Sequence, residues 1–364
     1  MSLLEKIRNK MLRTKNLDPD MRKAIESLGK NKRRPLGKFS PWAWALEPVR
    51  GCNLTCWHCP ARLLPRKKYI YMDMDLWKSI WKIIAEVNPR CRVEMANTGE
   101  PTLHPNIYEM ISVARKISPH SQIQITTNGT TLIKGQITYK KLFEAGLNIV
   151  YTDMYASKEV HKRLAKKSGY PYYTYYDSPK NAPNAWKYHD DPNIQFIALA
   201  DTPDNWPKQK IKRGALGTFL NNIDFDHPSA KRLGIKPVIK APQRRCNQPM
   251  KYVQVFVDGT YMMCCQDVFN EAKIKQNAYG GVKEFLKFWL GKRMQKTRQL
   301  LRDKDRSLHK VCCKCNIAFS RCDMKFWKSG SFKYYWDGKS LKPMADWKPK
   351  EEKKQKQKSF KPLL

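Results

Sequence analysis

Residues 92–154 read RVEMANTGEPTLHPNIYEMISVARKISPHSQIQITTNGTTLIKGQITYKKLFEAGLNIVYTDM. Within them, RVEMANTG (92–99) has the alternation of a strand and ends in glycine. PNIYEMISVARKI (105–117) spaces its apolar residues as a helix does. QIQITTNGT (122–130) is again a strand running into a turn, TYKKLFEAG (138–146) a helix closed by glycine, and NIVYTDMY (148–155) a third strand. The pattern extends both ways. AWALEPV (43–49) and the helical MDLWKSIWKIIAEV (74–87) precede it, and a helical 157–167 and the strand IQFIALAD (194–201) follow. Strands alternating with helices over short loops imply a parallel sheet, open or closed into a barrel. Such sheets bind ligands at the C-terminal edges of their strands. Cys52, Gly99, Asn128 and Asp153 all fall at or just after such edges, so the chain points to one active site.

Cys52 opens an unusual loop. GCNLTCWHCP (51–60) places Cys52, Cys56 and Cys59 within eight residues. A structural zinc site wants four ligands, usually in two pairs, and three grouped cysteines do not supply them. An iron–sulfur cube held by three thiolates keeps one iron without a protein ligand, and an open coordination position is what a metal centre needs for chemistry.

The bulk numbers set the context. The chain has 364 residues with 41% hydrophobic and 11% aromatic content, enough for a core of ordinary size plus a smaller unit. No apolar run approaches the length of a membrane span and MSLLEKIRNKML is no signal peptide, so the chain reads as cytoplasmic, with no membrane span. Lys and Arg number 70 against 32 Asp and Glu, a net charge of +38. The excess belongs to the folded body as well as to the two ends. It suggests contact with a polyanion such as nucleic acid, or simply a solubilising surface. Eleven cysteines in a reducing compartment read as metal ligands, not disulfides. Cys91 stands apart as a buried packing residue.

The remaining cysteines lie toward the C-terminus: Cys246, Cys264, Cys265, Cys312, Cys313, Cys315 and Cys322. RCNQPMKYVQVFVDGTYMMCC (245–265) reads as two strands joined at Asp258-Gly259. VKEFLKFWLGKRMQKTRQLLR (282–302) reads as a helical stretch. Three segments stand outside the alternation. Residues 1–40 form a basic arm with a short amphipathic helix that packs on the main body. Residues 169–192, rich in tyrosine and proline, read as an inserted loop. The lysine-rich 345–364 reads as a disordered tail.

The CxxxCxxC of Cys52, Cys56 and Cys59 just after a first strand resembles the signature of the radical S-adenosylmethionine superfamily. In that family the open iron of a [4Fe–4S] cluster chelates S-adenosylmethionine, whose reductive cleavage gives methionine and a 5′-deoxyadenosyl radical. His58 stands before the third cysteine, where the family usually has an aromatic residue. Thr98-Gly99-Glu100-Pro101 is similar to the family's GGEP segment, which holds the methionine amino group, with Thr98 replacing the first glycine. TTNGT (126–130), with Thr127 and Asn128, resembles the turn lining the cofactor pocket. Thr152-Asp153 occupies the place of the polar ribose contacts. Four such motifs in order on successive strand ends agree with the context the family requires. The C-terminal cysteines resemble the family's auxiliary-cluster extension, the SPASM domain. The resemblance implies one auxiliary [4Fe–4S] cluster on Cys246, Cys264 or Cys265, Cys312 and Cys315; a zinc site on the same thiolates is the alternative.

These resemblances imply an α/β fold, a partial (β/α)6 barrel of the TIM type over 41–240, with a small cysteine-rich auxiliary-cluster domain over 241–330; the basic 331–364 is expected to be a disordered tail. They imply an enzyme taking electrons from a flavodoxin or ferredoxin. Peptide or protein modification is the first substrate expectation and nucleotide or nucleic-acid modification the second. A non-catalytic basic nucleic-acid-binding metalloprotein is the contrasting class. Asp267, Tyr155 and Tyr261 are candidates for a second catalytic group by residue type alone.

Overall fold

The computed structural model describes residues 1–56, 59, 61, 69–154, 158–174, 193–200, 231, 246, 248–313, 315 and 334–344. His58, Tyr155, Cys322, most of the tyrosine-rich insertion and the 345–364 tail lie outside the described residues.

The main sheet is built as the alternation requires. Strand β1 (Ala43–Leu46) is followed by a short ribbon, β2 (Val49–Arg50) and β3 (Ile70–Tyr71), that brackets the cysteine loop. Then come α3 (Met74–Val87), β4 (Arg92–Met95), α4 (Ile107–Ile117), β5 (Gln122–Thr127), α5 (Thr130–Ile133), α6 (Tyr139–Glu144), β6 (Ile149–Asp153), α7 (Lys158–Ser168), β7 (Tyr172–Thr174) and β8 (Phe196–Ala200). Strands β1, β4, β5, β6 and β8 lie side by side in chain order, every pair parallel. This is the mixed α/β fold with a central parallel sheet expected of the partial barrel.

The two faces of the sheet differ sharply. Trp44, Leu46, Val93, Met95, Ile123, Ile125, Val150, Ile197 and Leu199 face the helices and join one large buried cluster. Helix α3, capped where Asp73 Oδ1 accepts from the amides of Asp75 (2.8 Å) and Leu76 (3.1 Å), adds Leu76, Trp77, Ile80, Trp81, Ile84 and Val87 to it. The Trp77 indole donates to the Met110 carbonyl (2.8 Å) and fixes α3 against α4. The opposite face carries Ala43, Ala45, Arg92, Glu94, Gln122, Gln124, Thr126, Tyr151 and Asp153, since side chains alternate across a strand.

Several readings of the sequence need correction. Tyr172–Thr174, placed in an inserted loop, is strand β7, paired in parallel with β8. Its composition signals a loop, but Tyr173 packs edge-on against Phe196 and the pairing is made only in the folded sheet. The stretch 282–302 is two helices, α9 (Gly281–Trp289) and α10 (Lys292–Arg302). At Gly291 a Cβ would collide with the Lys287 carbonyl oxygen, so the chain turns there. The N-terminal segment has a second helix: α1 (Leu3–Leu12) is followed by α2 (Pro19–Glu26), and Leu4, Ile7, Met11, Met21, Ile25, Leu36 and Phe39 enter the large cluster.

After α8 (Gln248–Lys251), the expected hairpin forms as β9 (Tyr252–Val255) and β10 (Tyr261–Met262), with Gly259 at φ +83° in the turn. Strand β9 also pairs in parallel with β1, so the sheet runs β10-β9-β1-β4-β5-β6-β8-β7. Helix α11 (Lys310–Cys313) and the hairpin β11 (Tyr334–Trp336) and β12 (Leu341–Pro343) complete the described fold; the start of the expected disordered tail is thus folded, because Trp336 and Leu341 enter the large cluster.

Candidate active site at the strand ends

The cysteine loop follows β2 of the short ribbon, and its start at Gly51–Cys52 is bonded to the segments that follow β4 and β5. Cys52, Cys56 and Cys59 are half-buried, and none of the described cysteines forms a disulfide. The Cys59 amide donates to the Cys56 carbonyl (3.1 Å), which turns the loop back on itself. The Cys52 sulfur accepts from the Leu54 amide and from Asn128 Nδ2, each at 3.4 Å. Burial pushes Cys52 up to about 11 and Cys59 up to about 12, and the nearby thiols add to both shifts. Thiols this close, in one loop and with no compensating cation among the causes of their shifts, are a donor set suited to a metal cluster that displaces their protons. Among the described residues, no three His, Cys, Asp or Glu side chains are already drawn into ion-coordinating geometry.

Gly99 explains how the second motif meets the loop. A Cβ there would collide with the Val49 carbonyl oxygen and lie 2.9 Å from that of Gly51. The Glu100 amide donates to the Gly51 carbonyl (3.0 Å). The chain at 99–100 is thus pressed onto the start of the cysteine loop, and only glycine allows it. The Glu100 carboxylate is fully buried. It accepts from the Thr102 amide (3.0 Å), the hydroxyls of Thr102 (2.6 Å) and Thr127 (2.7 Å), and the Asn128 amide (2.7 Å). Burial raises its pKa against these donors, which lower it. Glu100 therefore fastens the end of β4 to the end of β5, while Pro101 starts a 3₁₀ turn over Pro101–Leu103.

Asn128 completes the frame. Its side chain reaches Cys52 and also donates to Asn53 Oδ1 (2.9 Å), and Asn53 Nδ2 donates to the Thr130 hydroxyl (2.6 Å). The structure thus brings Cys52, Gly99, Glu100, Pro101, Thr127 and Asn128 together. Thr152 is turned the other way: its buried hydroxyl pairs with that of Tyr139 (3.0 Å) in the helix layer. Asp153, next along β6, lies half-buried on the opposite face.

Thr98, standing where the related segment has glycine, points away from the loop. Its hydroxyl donates to Oε1 of Glu47, which is completely buried. Glu47 Oε2 accepts from Arg50 Nε (3.1 Å), from its terminal nitrogen (2.9 Å), and from the Val257 amide (2.9 Å). Sequence reading passed over Glu47 and Asn53. The signal for Glu47 was a lone charge inside the otherwise apolar AWALEPV.

The C-terminal thiols also converge. Cys246, Cys264, Cys312 and Cys315 are buried, and Cys265 is half-buried. Burial and mutual proximity raise Cys246 and Cys312, and Cys264 is affected by all of Cys265, Cys312, Cys315 and Cys246. The doublet at 312–313 is separated by orientation: Cys313 is exposed and its thiol donates to the Arg306 carbonyl (3.2 Å). Arg306 also donates to the Cys315 carbonyl (2.9 Å). Cys91 is buried beside Ser121, as a packing residue should be. Of the residues considered by type alone, Tyr261 is a core residue stacked on Phe288 with centroids 4.6 Å apart. Asp267 accepts from the Ala272 amide at 3.3 Å, and burial pushes it up to about 6.

Residues 46–187 match the Radical SAM superfamily. Over 265 residues the chain is 23% identical to the S-adenosyl-L-methionine-dependent 2-deoxy-scyllo-inosamine dehydrogenase of Niallia circulans, covering 73% of this chain and 88% of that one. It is 32% identical over 108 residues to the 7,8-dihydro-6-hydroxymethylpterin dimethyltransferase of Methanocaldococcus jannaschii, covering 29% and 21%. The crystal structure of BtrN in complex with AdoMet and 2-DOIA shares the fold, with a TM-score of 0.52 and 19% identity over 76% of this chain and 92% of that one. Residues 46–187 thus carry a radical S-adenosylmethionine domain and the chain is an enzyme, which sets aside the non-catalytic reading. Among the described residues no helix is long and apolar enough to cross a membrane.

Proposed function

We propose that this enzyme abstracts hydrogen from a carbon atom of a small polar substrate. The observation that carries the reading is the three-thiol loop held against Gly99 and Asn128 at the strand ends. Cys52, Cys56 and Cys59 would hold a [4Fe–4S] cluster. Once reduced by an external electron donor, such a cluster would supply one electron to bound S-adenosylmethionine, the source of methionine and a 5′-deoxyadenosyl radical. The backbone at 99–101 and the 127–128 turn would seat the cofactor, and Glu100 keeps those segments in register. Cys246, Cys264, Cys312 and Cys315 would hold an auxiliary cluster, with Cys265 as the alternative to Cys264 and zinc as the alternative metal. The small-substrate reading is supported by the extent of the likeness to the inosamine dehydrogenase. The C-terminal cysteine pattern keeps a peptide substrate as the second reading, and the net charge of +38 puts nucleic acid into the same substrate screen.

The test is anaerobic reconstitution with iron and sulfide, reduction, and measurement of iron and 5′-deoxyadenosine. About eight irons per chain with deoxyadenosine formed is the expected outcome. Absence of deoxyadenosine would overturn the reading. Cys56→Ala is expected to abolish cleavage while far-ultraviolet circular dichroism stays native. Cys315→Ala is expected to lose about half the iron; unchanged iron content would remove Cys315 from the ligand set.

A further inference from the structure

Side-chain exposure along the inner face of the sheet marks an open space, a hollow, over its centre. Along the central strands, Ala45, Glu94, Ala96, Thr126, Tyr151 and Asp153 are all partly solvent-reached, while their neighbours on the helix-covered face are buried. A strand paired on both sides can show that period-two exposure only where the space over one face is open. Two alanines, Ala45 and Ala96, contribute to the opening. Register places Ala45 beside Glu94 and Gln254 beside Ala45 across β4, β1 and β9, so Glu94 and Gln254 flank the same small residue.

Glu94 is a carboxylate in mid-sheet. It accepts from Arg92 (3.0 Å), Gln124 Nε2 (3.2 Å) and the Thr126 hydroxyl (2.8 Å). Arg92 is also fixed by Gln124 Oε1 (2.9 Å). The Glu94 side chain remains 29% exposed while Arg92 is 7% exposed, so the carboxylate and not the guanidinium meets the hollow. An ionised carboxylate offers about four lone-pair directions, and three are used. Gln254 is 2% exposed, yet its carbonyl oxygen has no hydrogen-bond partner among the described residues. A buried amide oxygen without a donor is costly unless something supplies one.

We infer that this hollow is a substrate chamber for a small molecule bearing hydroxyl or protonated amino groups, with Glu94 positioning one donor and Gln254 receiving another. The inference rests on the hydrogen-abstraction reading above and names its substrate class. Both side chains present acceptors, so an anionic substrate is disfavoured here even though the chain as a whole carries a charge of +38. The Arg92 hydrogen bond holds the Glu94 carboxylate in place, and Thr126 sets which oxygen stays open. Glu94 is a positioning residue in this assignment, since no proton transfer is required of it.

The test uses the full reconstituted chain and three probes: 2-deoxy-scyllo-inosamine (amine and hydroxyls), scyllo-inositol (hydroxyls alone) and citrate (an anion). Dissociation constants come from saturation-transfer NMR, and 5′-deoxyadenosine formation by the wild type is recorded separately. Binding of at least one of the first two probes, with citrate weaker, is expected. A loss of about tenfold or more in Glu94→Gln, and a smaller loss in Gln254→Met, would follow from removing one good acceptor. If Glu94→Gln does not fold, Thr126→Val, which keeps the volume but frees the Glu94 oxygen to turn, is expected to weaken the same probe. No binding of either donor-bearing probe, tighter binding of citrate, or equal affinity in the variants would overturn the inference. Failure of the wild type to form deoxyadenosine, with probe binding intact and lost in Glu94→Gln, would instead overturn the radical reading and leave the chamber.

Discussion

At the scale of single residues, the site was legible where chemistry dictates identity and illegible where the fold recruits a side chain. Three cysteines, the Gly99-Glu100 pair and Asn128 could be picked out because few other residues serve those purposes. Glu47 and Glu94 could not, because each acts through partners from other strands. His161 was missed for a different reason. It sits on the apolar side of α7, completely buried, and neither ring nitrogen has a partner among the described residues. Its Cε1 comes so near Gly129 that a Cβ there would lie 2.5 Å from it. The ring therefore backs the turn that carries Asn128. Burial lowers its pKa, so the unfolded chain takes up a proton near the ordinary histidine value of about 6.5 before the folded chain does. Stability contributed by neutral His161 is present above that pH and is lost as pH falls below it. His104 and His309 are lowered in the same way, so the informative quantity is the difference between wild type and variant. His161→Leu is expected to be at least as stable near neutral pH and to lose less stability between about pH 7 and pH 5. Urea midpoints across that range check it, and parallel curves would contradict it.

At the scale of elements, the strand–helix alternation over 92–154 could be read because each element there completes its own pattern within a dozen residues. What could not be read is pairing between distant segments. β9 lies beside β1 although some two hundred residues separate them, and β7 takes an edge position that its tyrosine-rich sequence does not announce. The division of 282–302 was hidden by good helix formers on both sides of one glycine. The structure shows why Gly291 cannot be replaced quietly. The Gly291 amide reaches back to the Phe288 carbonyl (3.4 Å), its carbonyl receives the Gln295 amide (3.0 Å), and no Cβ fits against the Lys287 carbonyl. An added methyl must move either the end of α9 or the start of α10, both of which enter the core. Gly291→Ala is therefore expected to cost about 1–3 kcal/mol, although alanine is the better helix former. Chemical denaturation measures it, and a neutral or stabilising effect would show that the turn relaxes freely.

At the scale of the whole molecule, the C-terminal thiols and the strand-end loop belong to one continuous structure. The sheet runs unbroken from β10 through β1 to β7. Glu47 joins β1, the Thr98 segment and the hairpin end at Val257 in one buried node. The N-terminal helices share the same apolar cluster. One residue gathers three segments: the Trp289 indole donates to the Phe39 carbonyl (2.7 Å), its carbonyl accepts from Arg298, and the Arg298 guanidinium lies 4.1 Å above its ring while donating to the Pro249 carbonyl (2.9 Å). Among the described residues, a fold stitched this way has no boundary at which one half could unfold and leave the other native. Urea unfolding followed by far-ultraviolet circular dichroism and by tryptophan fluorescence should therefore give coincident transitions. Trp289→Phe keeps the aromatic packing but removes the buried hydrogen bond to the Phe39 carbonyl, which is expected to lower stability by about 1–3 kcal/mol. The lowered transition should remain single. If the variant instead splits it in two, the N-terminal helices and the sheet are separable units, and the continuity of the core does not govern how the enzyme holds its two sets of cysteines together.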